Sequence, residues 1–249
     1  DEMSGLQDRI TVVTGGATGI GGATAAMYAA EGAVSIIIDY NKTEGEAAAQ
    51  RIRDTGGRAE FHALDVRSAE QTAQLFERIG TTHGHIDTLV CSAGVLMGAY
   101  SGIADLEEEA WDTTIDTNLK GTYLTTKYAA PWLRRAEHSV LLLIASGAGV
   151  RGGSSSFAYA ASKAGIHGMQ YNFASDLSTT RVHVICPGGI ATPLKLLNIA
   201  QGASARGEDS DAAIKDARKS LGDPAGVAKV LTFLASDDGD YVRGTIFTR

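Results

Sequence analysis

Ile10-Thr11-Val12-Val13-Thr14-Gly15-Gly16-Ala17-Thr18-Gly19-Ile20-Gly21 is the stretch that decides the fold. Ile10 to Val13 are β-branched and predict a buried strand. Gly15, Gly19 and Gly21 then punctuate a G-x-x-x-G-x-G turn, and Gly19 to Glu31 continues as an alanine-rich helix. A strand that turns through glycines into a helix aims unpaired N–H groups and a positive dipole end at one point, which suits a phosphate. Glycine lets the backbone approach that phosphate closely, so the loop does not need the Lys or Arg it lacks. Thr18 and Ile20 belong to the same cradle. Asp39 stands 18 residues after Gly21, at the end of the next apolar run, the spacing of a carboxylate that binds adenosine ribose hydroxyls. A carboxylate there accepts hydrogen bonds from a free ribose and repels a 2′-phosphate, and neither Thr18 nor Tyr40 offsets it with a cation. NAD is therefore expected over NADP.

The same alternation runs outward along the chain. Strand-like runs at Val34–Ile38, Phe61–Val66, Leu89–Val90, Val140–Ala145, Val182–Ile185 and Thr245–Phe247 alternate with helical stretches at Thr43–Asp54, Ser68–Thr82, Glu107–Arg135, Ala158–Leu177 and Pro224–Ala235. Seven strands alternating with helices predict an α/β fold, a Rossmann-type doubly wound parallel sheet with helices on both faces. No composition break, linker or repeat divides residues 1–249, so a single domain is expected. The least regular stretch, Pro193 to Lys219, reads as a mobile substrate lid.

Composition agrees. The chain has 249 residues, 44% hydrophobic and 20% charged, with 30 glycines and 4 prolines, as in a globular protein built on tight turns. Lys and Arg total 22 against 29 Asp and Glu, a formal charge of −7, which argues against nucleic acid as a partner. No apolar run reaches the length of a membrane span. Asp1 to Gln7 carries no basic-then-apolar leader, and two cysteines cannot make a disulfide framework, so a cytoplasmic location is expected.

A catalytic pattern lies in the second half. Tyr159-Ala160-Ala161-Ser162-Lys163 puts a phenol and an ammonium on one helical face at i,i+4 spacing. An ammonium beside a phenol favours phenolate and is expected to bring Tyr159 down toward neutrality as a general acid–base. Ser146 follows an apolar run and sits at the carboxyl end of its strand, where ligands bind in open α/β sheets. Asn118, in Thr117-Asn118-Leu119-Lys120-Gly121, offers an amide to hold a water beside Lys163.

Together these residues resemble the short-chain dehydrogenase/reductase family, over about Leu6 to Thr248. The family's glycine motif matches Gly15, Gly19, Ile20 and Gly21; its adenine-side acid matches Asp65, followed by Val66. Its Asn-Ser-Tyr-Lys tetrad matches Asn118, Ser146, Tyr159 and Lys163, with 13 residues from Ser146 to Tyr159. Its Pro-Gly motif matches Pro187-Gly188, with Ile190 and Thr192 at the positions that hold the nicotinamide amide. The resemblance implies hydride transfer between a nicotinamide and an alcohol or carbonyl carbon. Tyr159 would move the proton, Ser146 would steady the oxygen, Lys163 would bind the ribose and tune Tyr159, and Asn118 would position a relay water. It also implies a homotetramer or homodimer that pairs through the helices at 107–135 and 158–177. Two departures stand out. Cys91-Ser92-Ala93-Gly94 replaces Asn-Asn-Ala-Gly, which keeps Ala93 and Gly94 beside the adenosine ribose but loses two amides. The sequence ends at Arg249, where the family continues into Asp-Gly-Gly and a tail.

The expected activity is NAD-dependent interconversion of a secondary alcohol and a ketone, with a small polyol or sugar among the candidates. A 3-oxoacyl-thioester reductase using NADPH and a non-catalytic nucleotide sensor are the alternatives. The remaining candidates read blandly. His83 and His85 form a surface pair with no third ligand, so no metal is expected. Glu107 to Glu109 favour a helix start, Cys91 and Cys186 are buried thiols, and Trp111 and Trp132 pack.

Overall fold

The computed structural model describes residues 5–249. Seven strands form one parallel sheet: β1 (Ile10–Thr14), β2 (Val34–Asp39), β3 (Arg58–Ala63), β4 (Thr88–Cys91), β5 (Ser139–Ile144), β6 (Thr180–Cys186) and β7 (Gly244–Phe247), in the order β3-β2-β1-β4-β5-β6-β7. The order reverses between β1 and β4, which pair from Thr11↔Thr88 to Thr14↔Cys91. Helices leave opposite faces of the sheet at that point, so a crevice opens at the carboxyl ends of both strands.

Alternate strand residues build two cores. Val12, Ile36, Leu89, Leu141 and Val184 face Phe76, Trp132 and Ile166 on one side; Val13, Ile37, Val90, Leu142 and Ile185 face Tyr28, Val227 and Leu231 on the other. The helices of the first layer are α3 (Ala69–His83), α4 (Glu108–Ile115), α5 (Gly121–Leu133) and α7 (Phe157–Asp176). The second layer holds α1 (Gly19–Ala30), α2 (Lys42–Asp54) and α10 (Pro224–Ala235). A fully buried Leu or Ile of this kind stabilises by about 1.5–3 kcal/mol. Where α3 meets α5, a Cβ on Gly80 would lie 1.9 Å from the Trp132 ring, so the small residue makes room for the large one. No helix among the described residues is long and apolar enough to cross a membrane.

The structure corrects four details. The third strand is Arg58–Ala63, not 61–66, because it is an edge strand whose polar residues share exposure with solvent. The single helix expected over 107–135 is interrupted by a π-helical turn, Asp116–Lys120, between α4 and α5. The stretch 193–219 is not irregular. It folds into α8 (Pro193–Ala205) and α9 (Ser210–Ala217), capped by Thr192 and Asp209, whose side chains accept backbone N–H groups. Trp132 is buried, but Trp111 is 39% exposed on α4.

Candidate active site

The crevice is a cleft of about 730 Å³ that runs from Asp39 and Asp65 at one end to Ser146, Tyr159 and α8 at the other. Its middle is the glycine turn. Gly15 has φ +65, and a Cβ there would lie 2.7 Å from Ala93 Cα; a Cβ on Gly21 would lie 2.2 Å from Gly15 O. Gly19 faces Thr192, whose Cγ2 would be 3.3 Å from its Cβ. The backbone is therefore bare where the sequence expects a pyrophosphate. At the adenosine end the Asp39 carboxylate is aimed by two backbone donors, Ala17 N at 3.2 Å and Asn41 N at 3.0 Å.

The Cys91-Ser92 departure leaves no loose loop. Thr14 Oγ1 accepts from Ser92 N at 3.2 Å and Ala93 N at 3.3 Å, so a β1 hydroxyl fastens the loop after β4. Cys91 is buried against Thr126, and burial pushes its thiol up to about 12, which makes it inert.

The four tetrad positions come together. Ser146 lies two residues past β5 and caps the short helix α6 (Gly147–Arg151); its Oγ accepts from Ala148 N at 3.2 Å, and its O–H remains a donor toward the site. Tyr159 starts α7, whose N-cap Ser156 accepts from Tyr159 N at 3.2 Å. Lys163 lies one turn on, buried, with Nζ 5.6 Å from the Tyr159 ring centre and donating to Ile144 O at 2.7 Å. Asn118 sits in the π turn, fully buried. Its Nδ2 donates to Val95 O at 2.9 Å and Ser162 Oγ at 3.0 Å, and its Oδ1 accepts from Val95 N at 2.8 Å. Both amide hydrogens are used, so this side chain fastens the loop after β4 to α7, and its carbonyl oxygen keeps the remaining lone pair. Irregular helical turns of this type occur at functional sites.

The electrostatics differ from the expectation on Tyr159. Burial raises its phenol above the ordinary value, and the Ser146 hydroxyl draws it only partly back, so the net shift runs opposite to the lowering expected from Lys163. Burial also lowers Lys163 to about 8, with Cys186 and Cys91 acting in the opposite direction. An ammonium in a dry site is itself destabilised, and that is the physical reason for the difference. Asp65 is where the sequence puts it, but its carboxylate is engaged by the Arg67 guanidinium, with Nη2 at 2.6 Å and Nε at 2.9 and 3.0 Å, which holds the acid below the usual carboxylate range. Val66 is buried against Gly121. Ala93, Gly94, Pro187, Gly188, Ile190 and Thr192 all line the cleft.

Sequence reasoning missed Arg67 and the α8 wall with Leu197 and Asn198. Arg67 lies two residues from Asp65 and was legible as a local ion pair. Nothing in the polar composition of 193–219 marked Asn198.

A dinucleotide fold with a serine, a tyrosine and a lysine at the carboxyl end of its sheet defines a nicotinamide-dependent oxidoreductase. Residues 9–200 match the short chain dehydrogenase family, and the chain belongs to it. It is 33% identical over 245 residues to the 3-oxoacyl-[acyl-carrier-protein] reductase FabG of Thermotoga maritima, covering 97% of this chain and 96% of that protein. Among solved structures it resembles levodione reductase, with TM-score 0.88 and 26% identity over 97% of this chain and 96% of that one. A short chain dehydrogenase of Shigella flexneri 2a complexed with NADP matches with TM-score 0.85 and 28% identity over 99% of each chain. The family binds a nicotinamide cofactor, and the bare glycine cradle and the oriented Asp39 fit one.

Proposed function

We propose that this enzyme interconverts a secondary alcohol and a ketone with NAD(H). The observation that carries the reading is the convergence of Ser146, Tyr159 and Lys163 on one end of the cleft whose other end holds Asp39. The bound nicotinamide supplies or takes up the hydride. Tyr159 gives the proton to the carbonyl oxygen in reduction and takes it from the hydroxyl in oxidation. Burial favours its protonated form, so it is ready as an acid at neutral pH. Ser146 donates its O–H to the same oxygen while its Oγ accepts from Ala148 N. Lys163, fixed on Ile144 O, keeps two N–H groups for the ribose hydroxyls. Gly15, Thr18, Gly19, Ile20 and Gly21 hold the diphosphate, Asp39 the adenosine ribose, Asp65 and Val66 the adenine, Ala93 and Gly94 the adjacent backbone, and Pro187, Gly188, Ile190 and Thr192 the nicotinamide. Asn118 positions the loop around Lys163.

NAD is favoured over NADP because the Asp39 carboxylate repels a 2′-phosphate, and Arg67, a cation lining that end of the cleft, is already paired with Asp65. The FabG relative supports a second reading, reduction of a 3-oxoacyl thioester with NADPH. We read the enzyme as a cytoplasmic homotetramer or homodimer that pairs through α4, α5 and α7, where Trp111, Tyr123 and Tyr171 are exposed. The test is a panel of secondary alcohols and ketones with each nicotinamide, followed by reduced-nicotinamide absorbance. Turnover with NAD(H) on an uncharged substrate supports the reading; turnover confined to acyl thioesters with NADPH replaces it.

A further inference from the structure

Asn198 lies on α8, in the wall of the substrate end of the cleft. It is 6% exposed, an unusual burial for an amide. Its Nδ2 donates to Ser155 Oγ at 2.8 Å, and its Oδ1 takes no hydrogen bond from any described residue. The oxygen is partnerless yet not sealed in, unlike Ser35 Oγ, Thr88 Oγ1 or the His183 ring nitrogens. Asn198 is one of the residues that line the cleft. The same end of the lining mixes Leu96, Met97, Leu194 and Leu197 with Ser154, Ser155, Lys195 and Gln201.

The amide is also held rigidly relative to the catalytic tyrosine. Ser155 O accepts from Tyr100 N at 2.7 Å. The next residue, Ser156, donates to Met97 O at 2.7 Å and caps Tyr159 N. One turn along α8 from Asn198, Gly202 packs against Tyr100, where a Cβ would lie 2.6 Å from the hydroxyl. A buried acceptor fixed in this way discriminates between substrates, because one without a donor leaves it unpaired.

We propose that Asn198 reads a second hydroxyl on the substrate, so that the preferred substrate is an uncharged hydroxyketone and its product the corresponding diol. This rests on the reading of the site as a ketone reductase. The neighbouring serines do not share the task equally, since Ser154 is occupied on both sides by Ser156 O and Ser156 N.

The experiment compares 2-hydroxycyclohexanone, cyclohexanone and cyclohexane-1,2-dione with the wild-type enzyme, Asn198→Leu and Asn198→Asp. Wild type should favour the hydroxyketone over the plain ketone in kcat/KM by roughly 10- to 100-fold. Asn198→Leu should bring that ratio near one, and Asn198→Asp, which keeps an acceptor, should retain a preference. NADH binding and Tm report whether each variant is folded. Calorimetric titration of the NADH-loaded enzyme with cyclohexane-1,2-diol and cyclohexanol reads the same preference without turnover. Diol preference without turnover on any ketone would keep the Asn198 assignment and sink the dehydrogenase reading. Turnover with no preference, a preference that survives in Asn198→Leu, or a preference for the dione would overturn the assignment.

Discussion

Replacing Asp39 with Asn tests how the cleft chooses its nucleotide. The substitution keeps the side chain's size and one oxygen for Ala17 N or Asn41 N, and it removes the charge. Hydrogen bonds to a charged acceptor contribute about 1.5–3 kcal/mol and neutral ones about 0.5–1.5, so NADH should lose roughly 1–2 kcal/mol. At 1.4 kcal/mol per decade that is about a 5- to 30-fold rise in Kd. For NADPH the change runs the other way. A carboxylate about 4 Å from a phosphate charge repels it by roughly 1–4 kcal/mol between watery and protein-like dielectrics, and the half-exposed Asp39 belongs toward the lower figure. The NADH/NADPH preference should therefore fall by two orders of magnitude or so, divided between weaker NADH and tighter NADPH. Nicotinamide fluorescence titrations of both variants measure it. A preference ratio that stays within about twofold of wild type would refute the reasoning, because the carboxylate could then not be facing the ribose.

Other substitutions probe the scaffold. Gly15→Ala should abolish measurable NADH binding while the protein still folds, since φ +65 and a 2.7 Å approach to Ala93 Cα force the loop after β4 outward; circular dichroism and the same titration check it. Gly80→Ala should lower Tm by several degrees, because the added methyl overlaps the Trp132 ring at 1.9 Å and overpacking costs about 1–3 kcal/mol, with roughly 2–4 °C lost per kcal/mol in a domain of this size. It should leave KM for substrate little changed. Lys163 gives a pH prediction. Its folded value, about 8, lies below that of the free side chain, so between the two the unfolded chain binds more protons and this residue's contribution to stability rises with pH. The stability of wild type relative to Lys163→Met should climb from about pH 8 upward in denaturant titrations; a flat difference would mean that the ammonium is not buried as described.

The fold was legible because β-branched runs and alanine-rich helices alternate without a break, and the cradle because only glycine fits at Gly15 and Gly21. The tetrad was legible as spacing. What the spacing could not carry was environment. The lysine that sequence reasoning used to lower Tyr159 sits in a dry pocket that destabilises its own charge, and Asp65 carries an arginine two residues away. The two helices of 193–217 escaped because α9 spans only eight residues and α8 carries Gly202 near its end, so neither shows a sustained apolar stripe. Asn118 stands out in the sequence only through its match to the family pattern; its partner Val95 is remote in sequence, and only the folded chain joins them.

The most direct test of the central claim is single-turnover kinetics of Tyr159→Phe beside wild type, on whichever ketone the panel finds best. Loss of one hydroxyl at the mouth of α7 should leave NADH affinity within a few-fold and lower the rate by about 10²–10⁴, the usual share of a positioned acid–base. A Tyr159→Phe enzyme that binds NADH and turns over at near wild-type rate would contradict the account, because the proton would then be coming from another group.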